Sequence, residues 1–345
     1  MASEEGGRDK LQTAEFPKIV LKRSVDRLSG METLDLSVAE PKPTDHLALG
    51  KGNNVRFQRK AKETPQGSAW QIDAQDDELE LILTLPYKHG VNLILELCRT
   101  EPAQTDEPPI VITVNNDEHE WGIDLDPNNL NFQKQAWYLP QYMLEKGENR
   151  ITLKLAPEAG TEVLLRSASV MRFDLQPQEK TEWCWAAVTA SLNRFFANGY
   201  PTRQDQVVNE CREDLVDVEQ KGDNQTLVIT KALDTMDLLS MRCYYAISLD
   251  EIRRQMQLGL PVPIHIEWKG GGGHYVVITG VLPQHPKGDG HTWLRVADPN
   301  VTDEAKEMTL PRYYTYNALK TRYRTNGKWT HTYLFEKERE RRSKR

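Results

Sequence analysis

The pattern of the chain changes near Leu175, and this change most constrains the fold. From about Phe16 to Leu175 the sequence carries many short segments of alternating apolar and polar residues, such as ELELILTLP and VNLILEL, without helical segments between them. Alternation with a period of two predicts strands, and many short strands without helices predict an antiparallel sandwich of the jelly-roll type. Beyond Leu175, helical spacing appears at Val188–Phe196 and in DEIRRQMQLGL, followed by strand patterns. The sequence therefore predicts an all-β sandwich followed by an α+β domain.

The expected domain organisation follows these patterns. Residues 1–15 are polar and contain glycines, so they predict a flexible tail, and the charge run at 337–345 predicts a solvated end. The β-sandwich is expected at 16–175 and the α+β domain at 176–336. A length of 345 residues agrees with two domains, because single hydrophobic cores rarely grow to this size.

The composition limits the partners that we expect. The formal net charge is −7 at pH 7, which argues against nucleic-acid binding, because phosphate-binding surfaces need an excess of lysine and arginine. No apolar run is long enough to cross a bilayer, and the acidic N-terminus lacks the apolar centre of a standard secretory signal. We therefore expect no nucleic-acid or membrane partner, and a protein that is cytoplasmic or delivered by a non-classical export route.

The cysteines favour a reducing compartment. The four cysteines, Cys98, Cys184, Cys211 and Cys243, are widely spaced, and none belongs to a CxxC pair. This spacing argues against a disulfide framework and against a cysteine zinc site. A reducing environment would keep a reactive thiol reduced.

Cys184 is placed where a helix is expected to begin. Thr181 is a good N-cap residue, and no proline interrupts the chain from Cys184 to Phe196. A cysteine in the first turn of a helix lies at the positive end of the helix dipole, which favours the thiolate. A cysteine at a helix start is more often structural than catalytic, so a catalytic role for Cys184 also requires a base nearby.

A candidate base and a partner for it lie on a predicted β-hairpin. A nucleophilic cysteine needs a base, and His274 follows a run of four glycines. The strand that starts at His274 and the later strand TWLRVADP are separated by a loop rich in proline and glycine, which predicts an antiparallel pair. The start of the first strand then lies opposite the end of the second, and the side-chain alternation puts His274 and Asp298 on one face. We therefore expect the Asp298 carboxylate to accept a hydrogen bond from the His274 ring.

Two glutamines precede the predicted helix. Gln178 lies six residues before Cys184, so its amide could stabilise an oxyanion together with the backbone N–H of Cys184. Gln176 is the weaker candidate. Taken alone, either glutamine is most simply a solvated linker residue.

The combined set resembles a known enzyme family. Gln178, WCWAA at Trp183–Ala187, GHYVVITG at Gly273–Gly280 and VADPN at Val296–Asn300 are similar to the motifs of papain-like cysteine peptidases. The nearest branch is the compact bacterial one, which includes bacteriocin-leader peptidases and effector proteases. The resemblance covers roughly residues 174–336. It departs from plant-type papains by Asp298, where they carry asparagine, and the longer middle segment from Asn198 to Leu260 does not match.

The resemblance implies a mechanism for peptide-bond hydrolysis. Cys184 would attack the carbonyl carbon, His274 would protonate the leaving amine, and Asp298 would orient the imidazole, while Gln178 and the Cys184 N–H would stabilise the oxyanion. The substrate would be a protein or peptide, and no metal or organic cofactor is implied. A transglutaminase, deamidase or acyltransferase would use the same triad, and an inert papain-like binding scaffold is the non-enzymatic alternative.

The N-terminal half resembles jelly-roll modules of the carbohydrate-binding or galactose-binding-like type over about Ser68–Asp174. Aromatic residues that could stack on sugars are Trp70, Trp121, Trp137 and Tyr138, although core or turn positions are the simpler interpretation. We expect the sandwich to recognise a target, which could be a protein, a glycan or its own peptidase domain.

Overall fold

The computed structural model of the protein describes most of the chain. The described residues are 30–37, 40–45, 47–50, 56–58, 69–72, 78–102, 109–115, 121–123, 125–126, 128–156, 162–196, 202–238, 241–282, 291–300 and 312–335. The predicted tails at 1–15 and 337–345 lie outside these residues. Within the described ranges, no helix combines the length and the apolar character needed to cross a bilayer.

The N-terminal half contains two antiparallel sheets. The first has six strands in the order β3-β4-β11-β6-β9, with β1 also paired to β11. Its strands are β1 (Gly30–Asp35), β3 (Arg56–Gln58), β4 (Ala69–Ile72), β6 (Val91–Arg99), β9 (Gln133–Leu139) and β11 (Val163–Arg172).

The second sheet has five strands in the order β2-β5-β10-β7-β8. These strands are β2 (Leu47–Leu49), β5 (Glu78–Leu85), β7 (Ile110–Val114), β8 (Trp121–Ile123) and β10 (Gly147–Leu155). A short 3₁₀ turn, Gln141–Met143, precedes β10. From β4 to β11 the chain passes repeatedly from one sheet to the other, as in a jelly roll, and the predicted β-sandwich is confirmed.

The alternation of the sequence explains the core of the sandwich. In β5 every second residue is a leucine, and Leu79, Leu81, Leu83 and Leu85 are buried between the sheets, while the intervening side chains are less buried. Burial of a leucine side chain contributes about 1.5–3 kcal/mol relative to exposure. A shift of the register by one residue would move all of these side chains to the outer face, so the apolar pattern fixes the pairing.

The C-terminal half is built around a third antiparallel sheet, in the order β12-β17-β13-β14-β15-β16. Its strands are β12 (Met241–Cys243), β13 (Val262–Trp268), β14 (Gly273–Leu282), β15 (Trp293–Ala297), β16 (Arg312–Thr315) and β17 (Gly327–Leu334). The α-helices of this half are α1 (Cys184–Phe196), α2 (Gln204–Glu210), α3 (Val218–Lys221), α4 (Ile229–Thr235), α5 (Leu249–Gln257) and α6 (Tyr316–Arg322). A 3₁₀ turn spans Arg212–Asp214. The predicted α+β domain after the sandwich is confirmed.

The predicted hairpin is present, with a different register from the one expected. β14 and β15 pair in antiparallel fashion, with Val277 opposite Ala297. Continuing this register places Asp298 level with Val276, two residues along from His274, and not directly opposite it. The pairing shifts between Ile278 and Gly280, which is the mark of a β-bulge.

The two halves share a buried interface at this bulge. The Asn92 side chain of β6 donates to the backbone oxygen of Thr279 at 2.6 Å, and the Tyr138 ring of β9 lies against the α-carbon of Gly280. A β-carbon at Gly280 would come within 2.6 Å of the Tyr138 ring, so this close approach needs glycine. Three sandwich residues, Ile94, Met171 and Phe173, belong to the same apolar core as the C-terminal helices and sheet.

Arg295 of β15 ties the interface to the hairpin. Its guanidinium donates to the Thr279 hydroxyl at 2.7 Å and lies 5.6 Å from the centre of the Tyr138 ring. The sandwich therefore contacts both strands of the hairpin through one cluster of side chains.

Candidate active site

Cys184 is the first residue of α1, and it is 7% exposed. Its backbone N–H therefore belongs to the first turn, whose N–H groups have no partner inside the helix. The predicted N-cap at Thr181 is wrong, because the helix begins three residues later and the Thr181 hydroxyl accepts from the side-chain amide of Asn224 at 3.0 Å. The chain instead approaches the helix through a turn in which the Trp183 N–H donates to Lys180 O at 3.1 Å.

The two tryptophans beside Cys184 anchor the start of the helix. The Trp183 indole N–H donates to Asp223 O at 2.8 Å, and the Trp185 indole N–H donates to Gln225 O at 3.0 Å. Both rings are buried. Both tryptophans are therefore wedged into the fold, and they hold Cys184 between two fixed points.

His274 occupies the second position of β14, directly after a tight glycine turn. Gly271 and Gly272 have φ angles of +91° and +79°, which few other residues adopt. The turn is closed by the Gly271 N–H, which donates to Trp268 O at 2.9 Å. A β-carbon at Gly273 would meet the His265 ring at 2.1 Å. The glycine run therefore serves both a sharp turn and a close approach.

The structure brings the Cys184 thiol, the His274 ring and the Asp298 carboxylate together. His274 Nε2 lies 2.8 Å from Asp298 Oδ1, where the ring N–H donates to the carboxylate. The thiol of Cys184 lies close enough to the same ring to affect its pKa. Since Nε2 is bonded to Asp298, Nδ1 is the ring nitrogen left for the thiol. The predicted contact between His274 and Asp298 is thus present, reached diagonally across the hairpin.

The surroundings of His274 favour its protonated form. Burial lowers the pKa of the imidazole, but the hydrogen bonds and charges of Asp298 and Cys184 outweigh burial and raise the pKa from 6.5 to about 9. The ring also stacks on Trp268, with centroids 6.1 Å apart and planes 21° apart. This environment suits an imidazolium that faces an anionic sulfur.

Asp298 has partners that sequence reasoning missed. Its side chain is fully buried, and it accepts from the backbone N–H of Asn300 at 2.8 Å in addition to His274. Its other oxygen, Oδ2, accepts from the Tyr323 hydroxyl at 2.5 Å and forms an ion pair with the Arg324 guanidinium, whose nitrogen lies 2.8 Å away. Tyr323 and Arg324 come from the turn after α6, a part of the chain with no motif to indicate them.

The two glutamines are held by backbone contacts. The Gln178 N–H donates to Pro299 O at 2.8 Å, which fixes the linker beside Asp298. The amide nitrogen of the Gln178 side chain donates to Lys180 O at 3.0 Å and to Thr181 O at 2.7 Å. In this arrangement both amide hydrogens are used within the loop.

Gln176 has a structural position. Its backbone N–H donates to the Ser191 hydroxyl at 2.9 Å, and its side-chain amide donates to Thr202 O at 2.7 Å. It therefore connects the linker to α1 and to the segment before α2.

Two of the remaining cysteines, Cys98 and Cys211, lie in surroundings that disfavour the thiolate. All four cysteines are free and buried. Burial raises the pKa of Cys98 to about 12 and that of Cys211 to about 11. Among the residues that the structure describes, no group of three or more His, Cys, Asp or Glu is placed to hold a metal ion.

Three of the four aromatic residues suggested as sugar platforms are buried. Trp70 and Trp137 lie inside the sandwich core, and Tyr138 lies in the interface with the C-terminal half. Their exposed fractions are 4%, 6% and 5%. The side chain of the fourth, Trp121, lies outside the described residues. A sugar could not stack on the three buried rings.

Comparisons with known proteins bear on the two halves separately. Residues 167–318 match the family model described as papain-like cysteine protease AvrRpt2, a range that contains Gln178, Cys184, His274 and Asp298. A search of curated protein sequences finds no match.

Solved structures give weaker likenesses. A family 35 carbohydrate-binding module from Paenibacillus barcinonensis aligns at 8% identity and a TM-score of 0.29, over 41% of this chain and 98% of that one. A family 35 module from Clostridium thermocellum aligns at 13% identity and a TM-score of 0.28, over 41% and 98%.

A β-(1,4)-mannanase of Podospora anserina with a family 35 module aligns at 12% identity and a TM-score of 0.30, over 48% of this chain and 34% of that one. The chain thus spans about a third of the mannanase. No function follows from these three likenesses. Residues 167–318, by contrast, are similar to papain-like cysteine proteases.

Proposed function

We propose that the protein is a cysteine peptidase that hydrolyses peptide bonds through Cys184, His274 and Asp298. The observation that carries this proposal is the placement of the His274 ring between the Cys184 thiol and the buried Asp298 carboxylate, at the start of a helix. The match of residues 167–318 to a papain-like cysteine protease family supports it.

The proposed reaction has two halves. The Cys184 thiolate attacks the carbonyl carbon of the substrate, and the His274 imidazolium gives its proton to the departing amine, which leaves an acyl-enzyme. Neutral His274 then takes a proton from water, the resulting hydroxide attacks the thioester, and Cys184 leaves as a thiolate with His274 protonated again. Asp298 orients the ring and stabilises its charge throughout.

We assign the oxyanion site to the Cys184 N–H and to the Gln178 side chain. The support for Gln178 is its position, because its backbone is bonded to Pro299, next to Asp298. Its amide would exchange one of its carbonyl partners, Lys180 O or Thr181 O, for the oxyanion. The Cys184 N–H needs no such exchange, since it lies in the open first turn of α1.

We also propose that the sandwich contributes to recognition of a protein or glycan target. Its contacts with the hairpin at Thr279 and Gly280 support this role, since a target held by the sandwich would meet Cys184 and His274 in one orientation. The recognition surface would not include the buried Trp70, Trp137 or Tyr138 rings. Four free cysteines support a reducing site of action, either the cytoplasm or a compartment reached by non-classical export.

A brief alkylation pulse tests the identity of the nucleophile. After a short exposure to iodoacetamide near neutral pH, we expect Cys184 to be modified far faster than Cys98, Cys211 or Cys243, because the imidazolium of His274 stabilises its thiolate. Peptide mapping by mass spectrometry measures the four rates. In a His274→Ala variant the rate at Cys184 should fall and the other three should not change.

Equal modification of the four cysteines, or slow modification of Cys184 in the folded protein, would remove the basis of the proposed nucleophile. Modification of Cys184 at the same rate with and without His274 would instead show that the ring does not activate it.

The pH dependence of turnover follows from His274. Its pKa is raised from 6.5 to about 9 in the folded protein, so the imidazolium that must protonate the leaving amine is lost as the pH rises through about 9. We expect kcat/KM on a peptide substrate to fall on the alkaline side with an apparent pKa near this value. A profile that falls near 6.5 would contradict the tight coupling of the ring to Cys184 and Asp298.

A further inference from the structure

The buried carboxylate of Asp298 accepts hydrogen bonds from His274, Asn300 and Tyr323, and it forms an ion pair with Arg324. Oδ1 accepts from His274 Nε2 and from the Asn300 N–H, each at 2.8 Å. Oδ2 accepts from the Tyr323 hydroxyl, and the Arg324 guanidinium forms an ion pair with it at 2.8 Å. The Asp298 side chain has no exposed surface, whereas the Arg324 side chain is 33% exposed. The guanidinium therefore reaches from the surface to a carboxylate that water does not touch.

The chain holds Tyr323 and Arg324 in a strained turn. Tyr323 and Gly327 exchange two backbone hydrogen bonds of 2.8 Å, which closes the turn between α6 and β17. Inside it, Arg324 and Thr325 have φ angles of +44° and +79°, values that side-chain-bearing residues rarely adopt. Such strain persists where the surrounding structure enforces it, and it is found most often at functional sites.

We propose that Arg324 is a positioning residue that compensates the charge of Asp298, so that His274 faces a carboxylate with much of its negative charge balanced. An uncompensated buried carboxylate would hold the imidazolium proton strongly, because an opposite charge at this distance favours the charged ring. A general acid that holds its proton too strongly is a poor donor to the leaving amine. The guanidinium thus tunes His274 through Asp298 while the Tyr323 hydroxyl fixes the carboxylate in place.

Other groups around His274 do not replace this effect. The interaction with Cys184 from α1 raises the pKa of the ring and so acts in the opposite direction to a cation, and Trp268 from β13 supplies an uncharged ring face. His265 of β13 is also close enough to interact, but burial lowers its pKa to about 4, so it is neutral near pH 7. Among the groups named here, Arg324 is the one that carries a positive charge near pH 7 besides His274 itself.

The test is an NMR titration of His274 in the full chain with Cys184→Ala, which removes the thiol and needs no activity. In this background, Arg324→Gln should raise the pKa of His274 by about one unit or more, a size typical of a close charge. The matched control is Arg322→Gln, since Arg322 is an exposed arginine two residues earlier, and it should leave the titration unchanged. Arg324→Lys keeps the charge and should give a value near that of the parent.

A double-mutant cycle separates action through Asp298 from a direct effect of the cation on the ring. With Asp298→Asn already present, Arg324→Gln should no longer raise the pKa of His274. An unchanged pKa in Arg324→Gln alone, or an equal rise with and without Asp298, would overturn the proposal. Dispersed amide spectra of each variant establish that it is folded.

The kinetic arm rests on the proposed peptidase function. Arg324→Gln should move the alkaline limb of kcat/KM to higher pH and lower kcat. The single variant Asp298→Asn leaves the Arg324 cation facing an uncharged amide. The double variant with Asp298→Asn and Arg324→Gln should therefore turn over faster than Asp298→Asn alone. A titration shift in a protein that cleaves nothing would contradict the peptidase function but support the charge compensation. Peptide cleavage without a shift in the His274 titration would support the peptidase function but contradict the charge compensation.

Discussion

Replacement of Cys184 by alanine is expected to lower peptide-bond turnover by about 10⁴- to 10⁶-fold, the range seen when an enzyme loses its nucleophile. The alanine fits the helix start, because it removes one sulfur atom from a site that is 7% exposed and leaves Trp183 and Trp185 in place. The fold should therefore persist while the acyl-enzyme can no longer form. Initial rates on a peptide substrate, with circular dichroism as a check on folding, measure the effect.

Cys243→Ala is the matched control for this change. Cys243 is also a buried free thiol of the C-terminal half, at the end of β12 and away from His274. Its variant should keep turnover within a few-fold of the unchanged protein. A Cys184→Ala protein that retained a tenth or more of the activity would exclude Cys184 as the nucleophile.

Replacement of Tyr138 by alanine is expected to lower the free energy of unfolding by roughly 3 kcal/mol, as for other buried aromatic residues. The reason is that this ring packs on Gly280 and under Arg295, at the bulge of the strand that carries His274. Because the ring contacts both halves, we expect the two halves to unfold in one transition and to lose stability together. Denaturant unfolding followed by far-ultraviolet circular dichroism and by tryptophan fluorescence measures this.

Tyr245→Ala provides the comparison. Tyr245 is 64% exposed, so its replacement should change stability by no more than about 0.5 kcal/mol. A sandwich that merely tethers the C-terminal half would give a different result. Tyr138→Ala would then destabilise the sandwich alone, with a second transition unchanged.

The parts of the fold that could be predicted are those marked by a local pattern in the sequence, either a repeat of apolar residues or a turn signal. Leucines at every second position of β5 predicted a strand with one buried face, and the structure places Leu79–Leu85 in that way. The proline- and glycine-rich loop before Trp293 predicted the hairpin of β14 and β15. The side-chain alternation of the two strands predicted the hydrogen bond between His274 and Asp298, although the observed register of β14 and β15 differs from the expected one by two residues.

The parts that escaped prediction depend on contacts between distant segments. Tyr323 and Arg324 reach Asp298 from a turn whose left-handed residues are not glycines, so no glycine signal marked it. A core or turn position was the simpler interpretation of Tyr138, but nothing in the sequence indicated that the other half of the chain covers this ring. Thr181 had the chemistry of a cap, but Asn224 binds its hydroxyl instead.

The most direct test of peptide-bond hydrolysis at Cys184 is cleavage of a complex peptide mixture in water enriched in oxygen-18, followed by mass spectrometry. The unchanged protein should generate new carboxyl termini that carry the heavy oxygen, since water releases the acyl-enzyme, and the Cys184→Ala protein should generate none. Glutamine side chains converted to heavy-labelled glutamate, or joined to amines, without new termini would contradict peptide hydrolysis and show that the same triad acts on another acceptor. New termini formed equally by both proteins would show that Cys184 does not carry the reaction.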